Sequence, residues 1–208
     1  MNKRIFVALC KLAIASLIIA AVTTQIVNLN DSGVFRPANF FSFFTIEANL
    51  FAAAVFLLSA YGYATKRVIR HGSVLRGAAT LYMVTTGLVY VTLLTGLQES
   101  LNTHIPWVNF VLHYLIPLVA LLDWLIDRPR HEMLSYKVIS LWLIFPIVWL
   151  VYSVIRGALV GWYAYPFLDP HTGGGLVEVI IVCLGISVLM ALLSAVLVWL
   201  GNLRFHSK

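Results

Sequence analysis

Six stretches of the chain run for roughly twenty apolar residues each, separated by short polar breaks. They lie near Ile5–Val27, Phe40–Tyr63, Gly77–Leu97, Trp107–Ile126, Val138–Leu159 and Leu176–Leu200. A helix of that length crosses a hydrocarbon core of about 30 Å, so each stretch predicts a membrane span. The breaks at Asn28–Asn39, Gln98–Pro106 and Val160–Gly175 alternate with basic turns around Lys66–Arg76 and Asp127–Lys137. The expectation is an all-α, polytopic membrane protein: one six-helix transmembrane domain covering residues 1–208, without an internal repeat or low-complexity tract. Pro106 and Trp107 suit a helix start at an interface. Pro117 and Pro146 fall inside spans, where each should free a backbone carbonyl.

Charge adds the orientation. Lys3, Arg4, Lys11, Lys66, Arg67, Arg70, Arg76, Arg128, Arg130, Lys137, Arg204 and Lys208 fall on one side, and only Arg36 and Arg156 on the other. Twelve against two predicts that both termini are cytoplasmic, and a bacterial inner membrane is the expected location. The net charge of +6 then comes from residues flanking spans. No basic stripe with interleaved aromatics exists, which argues against nucleic acid as a partner. Lys3-Arg4 ahead of an apolar run resembles a signal peptide, but the run reaches Val27 and reads as an uncleaved first helix. Lys11, about two turns inside it, is expected to snorkel to the cytoplasmic surface. Cys10 and Cys183 fall at different depths, which excludes a disulfide between them and predicts two buried apolar fillers.

Four ionisable residues from four spans, Glu47, His113, Arg156 and Glu178, share an outer depth. A charge within a bilayer costs about 2.5–3.5 kcal/mol, so such groups face a cavity or a partner. Ser42, Thr45 and Asn49 at i, i+3 and i+7 are expected on one helical face, as either a polar stripe or helix–helix glue. Asn109 and His113 share a face, and a neutral imidazole there has the chemistry of a general base. Tyr152 and Arg156 lie near the outer end of the fifth span. Arg156 is expected either to pair with Glu47 or Glu178 or to hold a carboxylate, with Glu178 the expected buried partner of Arg156 or His113. Asp123 is expected to cap its helix or pair with inner basic residues. His104, His113, His171, Glu47, Asp169 and Glu178 lie on the outer side without metal-ligand spacing, so no metal or other cofactor is expected. The aromatic connection before the last span reads as a lid or as an interfacial belt.

Three local patches resemble the androgen-induced membrane hydrolases and their bacterial six-helix relatives. They are Phe40-Phe-Ser-Phe43 with Asn49 seven residues past the serine, Asn109 with His113 and then Pro117, and Tyr165-Pro-Phe-Leu168. The animal members cleave fatty acid esters of hydroxy fatty acids with an intramembrane threonine and histidine. The resemblance implies that His113 is the family histidine. Ungapped, it puts Ser42 where the family has threonine, while Thr45 keeps the residue type one turn deeper and nearer the depth of His113.

The implied activity is hydrolysis of a lipid or fatty acyl ester from the bilayer. A Thr45 or Ser42 hydroxyl attacks the carbonyl and His113 takes its proton. Asn49, Asn109 and Arg156 are candidate oxyanion donors. Two other expectations stand beside it: a small transporter or lipid-binding protein using the same outer polar pocket, and an assembly subunit whose polar residues only lock helices together.

Overall fold

The computed structural model describes residues 2–97, 105–127 and 133–206. Among them six helices are long and apolar enough to cross a membrane: α1 (Lys3–Asp31), α2 (Phe44–Thr65), α3 (Gly72–Leu94), α4 (Pro106–Ile126), α5 (Val138–Val160) and α6 (Gly175–His206). This is the make-up of an integral multi-pass membrane protein. His104, Arg128, Arg130 and Lys208 lie outside the described residues, as do the middles of the connections expected at 98–106 and 127–137.

Small side chains let α1 and α2 approach closely along their length. Ala15 and Ala21 of α1 and Ala48 and Ala52 of α2 are all fully buried, and the two helices pack against each other. The α3 helix packs against α2, α4, α5 and α6. In α2 and α3, 56% and 61% of the span is buried, against 17% in α5 and in α6, so the last two form the outer wall. Gly77 makes the α3–α5 approach possible: a Cβ there would lie 2.1 Å from the Trp142 ring.

Both prolines inside spans free carbonyls, and the bundle answers each with a side-chain donor. Pro146 cannot donate to Trp142 O four residues back, and Tyr82 Oη donates to that carbonyl at 2.8 Å instead. In α4 the turn Val111–Leu115 widens to π geometry, and Ile116 N–H donates to Val111 O. The carbonyl of Leu112 would next accept from Pro117, which has no N–H, so it needs a donor from outside the helix. Asn49 of α2 supplies one at 3.3 Å.

At the end opposite the aromatic connection lies an ion-pair cluster. Lys11 Nζ pairs with Asp123 and, at 3.4 Å, with Asp127. Arg76 pairs with Asp123 at 2.9 Å and with Asp127 at 3.4 Å, and Tyr63 Oη donates to Asp127. The expected pairing of Asp123 with inner basic residues is therefore present. Lys11, however, does not snorkel. It is 2% exposed, because two carboxylates from α4 make a better partner inside the bundle than water outside it. Cys10, the residue before it, points outward and is exposed rather than buried, and both cysteines are free thiols.

Removing one partner from a buried pair leaves an uncompensated charge, at a cost of about 3–5 kcal/mol. Lys11→Met should therefore lower the unfolding temperature in detergent. Lys11→Met with Asp123→Asn should recover much of that loss. A double mutant as unstable as the single one would show that the cluster is held by packing rather than by charge.

Candidate active site

The α2 helix begins at Phe44, not at Phe40 as its apolar run suggested. Pro37 opens a separate turn, Pro37–Phe40, and Phe43 is extended (φ −73°, ψ 124°) before the helix proper starts. Ser42 thus lies in the break and outside the helix, which corrects the expected three-residue stripe. Its hydroxyl donates to Ala38 O at 2.6 Å and lies 2.9 Å from Tyr152 Oη. Neither Ser42 nor Tyr152 lines a cavity described here.

Thr45 and Asn49 do share a face of α2. Thr45 occupies the first turn, where backbone N–H groups have no carbonyl one turn back to receive them. Its N–H donates to the hydroxyl of Tyr165 at 3.2 Å, and its Oγ1 lies 3.3 Å from the same hydroxyl. Tyr165, from the connection before α6, is held by edge contact with Phe43 and by stacking on Phe167. Burial pushes its phenol above the ordinary value, against the opposing pull of the Thr45 and Phe44 groups, so it stays neutral and keeps a proton to donate. Asn49, wholly buried, spends both amide protons on Thr45 O (2.9 Å) and Leu112 O (3.3 Å).

His113 sits in the π turn of α4, one residue past the carbonyl to which Asn49 donates. Its ring stacks on Tyr90 of α3 with centroids 4.0 Å apart. The Asn109 side chain donates to Tyr90 Oη at 2.7 Å, fixing that ring in turn. His113 Nδ1 lies 3.1 Å from Asn109 O. A carbonyl can only accept, so Nδ1 carries the proton and Nε2 presents a lone pair. Among the described residues no group bonds to Nε2.

Two cavities meet at Thr45. The first, of about 300 Å³, has Gln25, Asn39, Thr45, Asn109, His113 and Tyr165 on its walls and Arg36, Asp169 and Thr172 toward its edge. The second, of about 170 Å³, is lined mainly by apolar side chains of α2, α3, α5 and α6. Thr45, Leu94 and Tyr165 belong to both walls. The aromatic connection folds over the first cavity, with Trp162, Tyr163, Ala164 and Tyr165 facing it. Gly157 permits this return, because a Cβ there would lie 2.1 Å from the Tyr163 ring. Beyond it, the His171 backbone N–H holds the Asp169 carboxyl below its usual range.

The expected charged partners do not assemble. Arg156 Nη2 donates to Asn39 Oδ1 at 2.7 Å, and its guanidinium lies over the Trp162 ring at 4.8 Å. Among the described residues it forms no ion pair. Glu178 is exposed and accepts the Gly174 N–H, because its position in the first turn of α6 favours closing that turn. It is therefore not the buried partner expected for Arg156 or His113. Glu47, half-buried in the first turn of α2, makes no ion pair among the described residues. No three His, Cys, Asp or Glu side chains among the described residues converge as metal ligands.

Sequence reasoning missed Tyr165, Tyr90, Asn39 and Gln25 as site residues. For Tyr165 a signal existed, since it opens one of the patches that carry the family resemblance. For Tyr90 nothing in the local sequence separates it from any interfacial tyrosine. No family model, curated protein or solved structure matches the chain.

If Asn49 holds the released carbonyl, Asn49→Leu should destabilise the protein by about 1–3 kcal/mol, the penalty for an unsatisfied buried acceptor. Thermal unfolding in detergent checks this. Tyr152→Phe, which removes a partly exposed hydroxyl, should shift the transition far less.

Proposed function

We propose that the chain is an integral membrane hydrolase of lipid or fatty acyl esters, acting through Thr45 and His113 near the extracytoplasmic surface. Both termini are cytoplasmic in this reading, which follows from the basic bias and fits a bacterial inner membrane. The observation that carries the reading is the shared cavity. One wall holds a threonine hydroxyl, and another holds an imidazole whose Nδ1 is tied to a carbonyl, leaving Nε2 as a base.

The chemistry follows as acyl transfer. The Thr45 hydroxyl turns from Tyr165 toward the cavity, and its proton passes to His113 Nε2 as Oγ1 bonds to the ester carbonyl carbon. The carbonyl oxygen becomes an oxyanion and needs donors already in place. Two fit. Tyr165 keeps its hydroxyl proton while accepting the Thr45 N–H. Asn39 presents its oxygen to Arg156, which turns its NH₂ away from the guanidinium. The imidazolium then protonates the departing alkoxide, and the carbon–oxygen bond to the alcohol breaks. Water, deprotonated by Nε2, attacks the acyl-threonine, releases the acid and restores the hydroxyl. Arg156 in this scheme is a positioning residue, and Asn49 and Asn109 hold backbone and ring rather than the oxyanion.

Ser42 is less suited to the same role, because its hydroxyl is engaged by Ala38 O and Tyr152 away from the cavity. An active-site-directed fluorophosphonate tests the reading on purified protein in detergent. Labelling should be lost in Thr45→Ala and His113→Ala and retained in Ser42→Ala. Tyr165→Phe should slow labelling by about 10²-fold, the effect of removing one oxyanion donor. An absence of labelling and of ester cleavage in protein that unfolds cooperatively would sink the enzyme reading. Reporter fusions to each terminus check the topology and should both register the cytoplasm.

A further inference from the structure

The reaction proposed above uses only the polar cavity. The second cavity lies beyond Thr45 and Tyr165 and is lined by Phe44, Leu143, Ile147, Leu150, Ile186 and Met190, among others. Its remaining polar side chains are few. The Thr85 and Thr86 hydroxyls are buried without a hydrogen-bond partner among the described residues, and the Ser187 hydroxyl donates to Cys183 O at 2.7 Å. Among the described residues Thr45 and Tyr165 are the hydroxyl-bearing side chains it shares with the polar cavity, so a mainly apolar chamber adjoins the polar one at those two residues.

Its outer wall is the seam between α5 and α6, the two least buried spans. Ile147 on α5 is 58% exposed and Ser187 on α6 is exposed, yet both line the cavity. The seam is therefore where the cavity reaches the outer surface of the bundle. From Leu143 to Leu150, and again from Cys183 to Met190, the lining spans seven helical rises, about 10 Å of helix. That depth takes a segment of an alkyl chain, and the remainder has to leave through the seam. A chain arriving from a bilayer has no water to escape, so such a chamber selects by shape and by what it bonds at the polar end.

We propose that this chamber binds one unbranched acyl chain of a membrane lipid or fatty acid, admitted sideways between α5 and α6, with the carbonyl end at Thr45 and Tyr165. Placing the carbonyl there rests on the hydrolase reading; occupancy of the chamber by a chain does not.

The test uses a palmitic acid analogue carrying a mid-chain diazirine and a terminal alkyne, photolysed with the full-length protein in lipid nanodiscs. Adducts should concentrate in the peptides covering Leu143–Leu150 and Cys183–Met190, compete with unlabelled palmitate, and fall away in Ser187→Trp and in Ile147→Trp. Circular dichroism melts of both variants confirm folding. Adducts spread evenly over outward-facing helix surfaces such as Phe6 and Leu9, or adducts undiminished in both folded variants, would overturn the proposal. A second readout separates the two readings. The ratio of labelling rates with hexadecyl and with ethyl fluorophosphonate should fall in Ser187→Trp. Localised adducts in a protein that no fluorophosphonate labels would leave the chamber standing and remove the hydrolase. An unchanged ratio in a protein that both probes label would do the reverse.

Discussion

One carbonyl ties this structure together. Pro117 cannot donate to Leu112 O and the π turn diverts the Ile116 N–H to Val111, so a donor from outside the helix has to fill the gap. The Asn49 amide does so from α2 while also donating to Thr45 O, one turn up its own helix. Thr45 and His113 are thereby fixed relative to each other through the same side chain. The widened turn that creates the need for a donor also carries His113, and the residue that meets the need lies four positions from Thr45. The π turn in α4 and the local geometry of the site have the same origin.

The bundle holds two polar layers. Along α1, fourteen residues separate Lys11 in the ion cluster from Gln25 on the polar cavity, about 21 Å of helix. The same count separates Arg76 from Tyr90 on α3. Between the layers lie buried alanines and packed aromatic rings. The inner layer has two cations against two carboxylates, each with a partner, and it fastens α1 and α3 to α4. The layer beside the aromatic connection is different: His113, Thr45 and Asn39 line a cavity, with the Thr45 hydroxyl 3.3 Å from that of Tyr165. Charge is matched where helices are fastened, and left uncommitted where a ligand has room.

Most of the architecture was readable from the spacing of apolar runs, because a span must be long and continuous whatever it packs against. The functional reading depended on finer geometry. The pairing of Asn109 with His113 and of Thr45 with Asn49 came through, since both pairs lie inside continuous helix. Ser42 fell out of its stripe because the helix starts four residues later than the apolar run, at Phe44, which leaves Ser42 in the break before it. Lys11 and Glu178 misled for a shared reason. Each was placed by its depth, and depth does not say whether a partner stands beside it. Two aspartates on α4 drew Lys11 inward, while a nearby backbone N–H kept Glu178 at the surface. Tyr165 stood in one of the resembling patches, but its contact with Thr45, 120 positions away, is made only by the fold of the last connection.

The placement of Tyr165 also bears on how a weak nucleophile could be made useful. A helix start is a cluster of unreceived N–H groups, and here the phenol oxygen receives one of them. Accepting a hydrogen bond polarises the phenol's own O–H and makes it a stronger donor. The break at Ser42–Phe43, which sets where α2 begins, thus has an effect on the far side of that hydroxyl. It arms a neutral donor next to Thr45 without placing any charge in the bundle. A lysine or arginine at the same point would have donated more strongly, but would have needed a carboxylate beside it, as Lys11 does at the other end. Using a helix start and a tyrosine instead puts a neutral donor beside Thr45, which suits the arrival of an ester carbonyl in the proposed reaction.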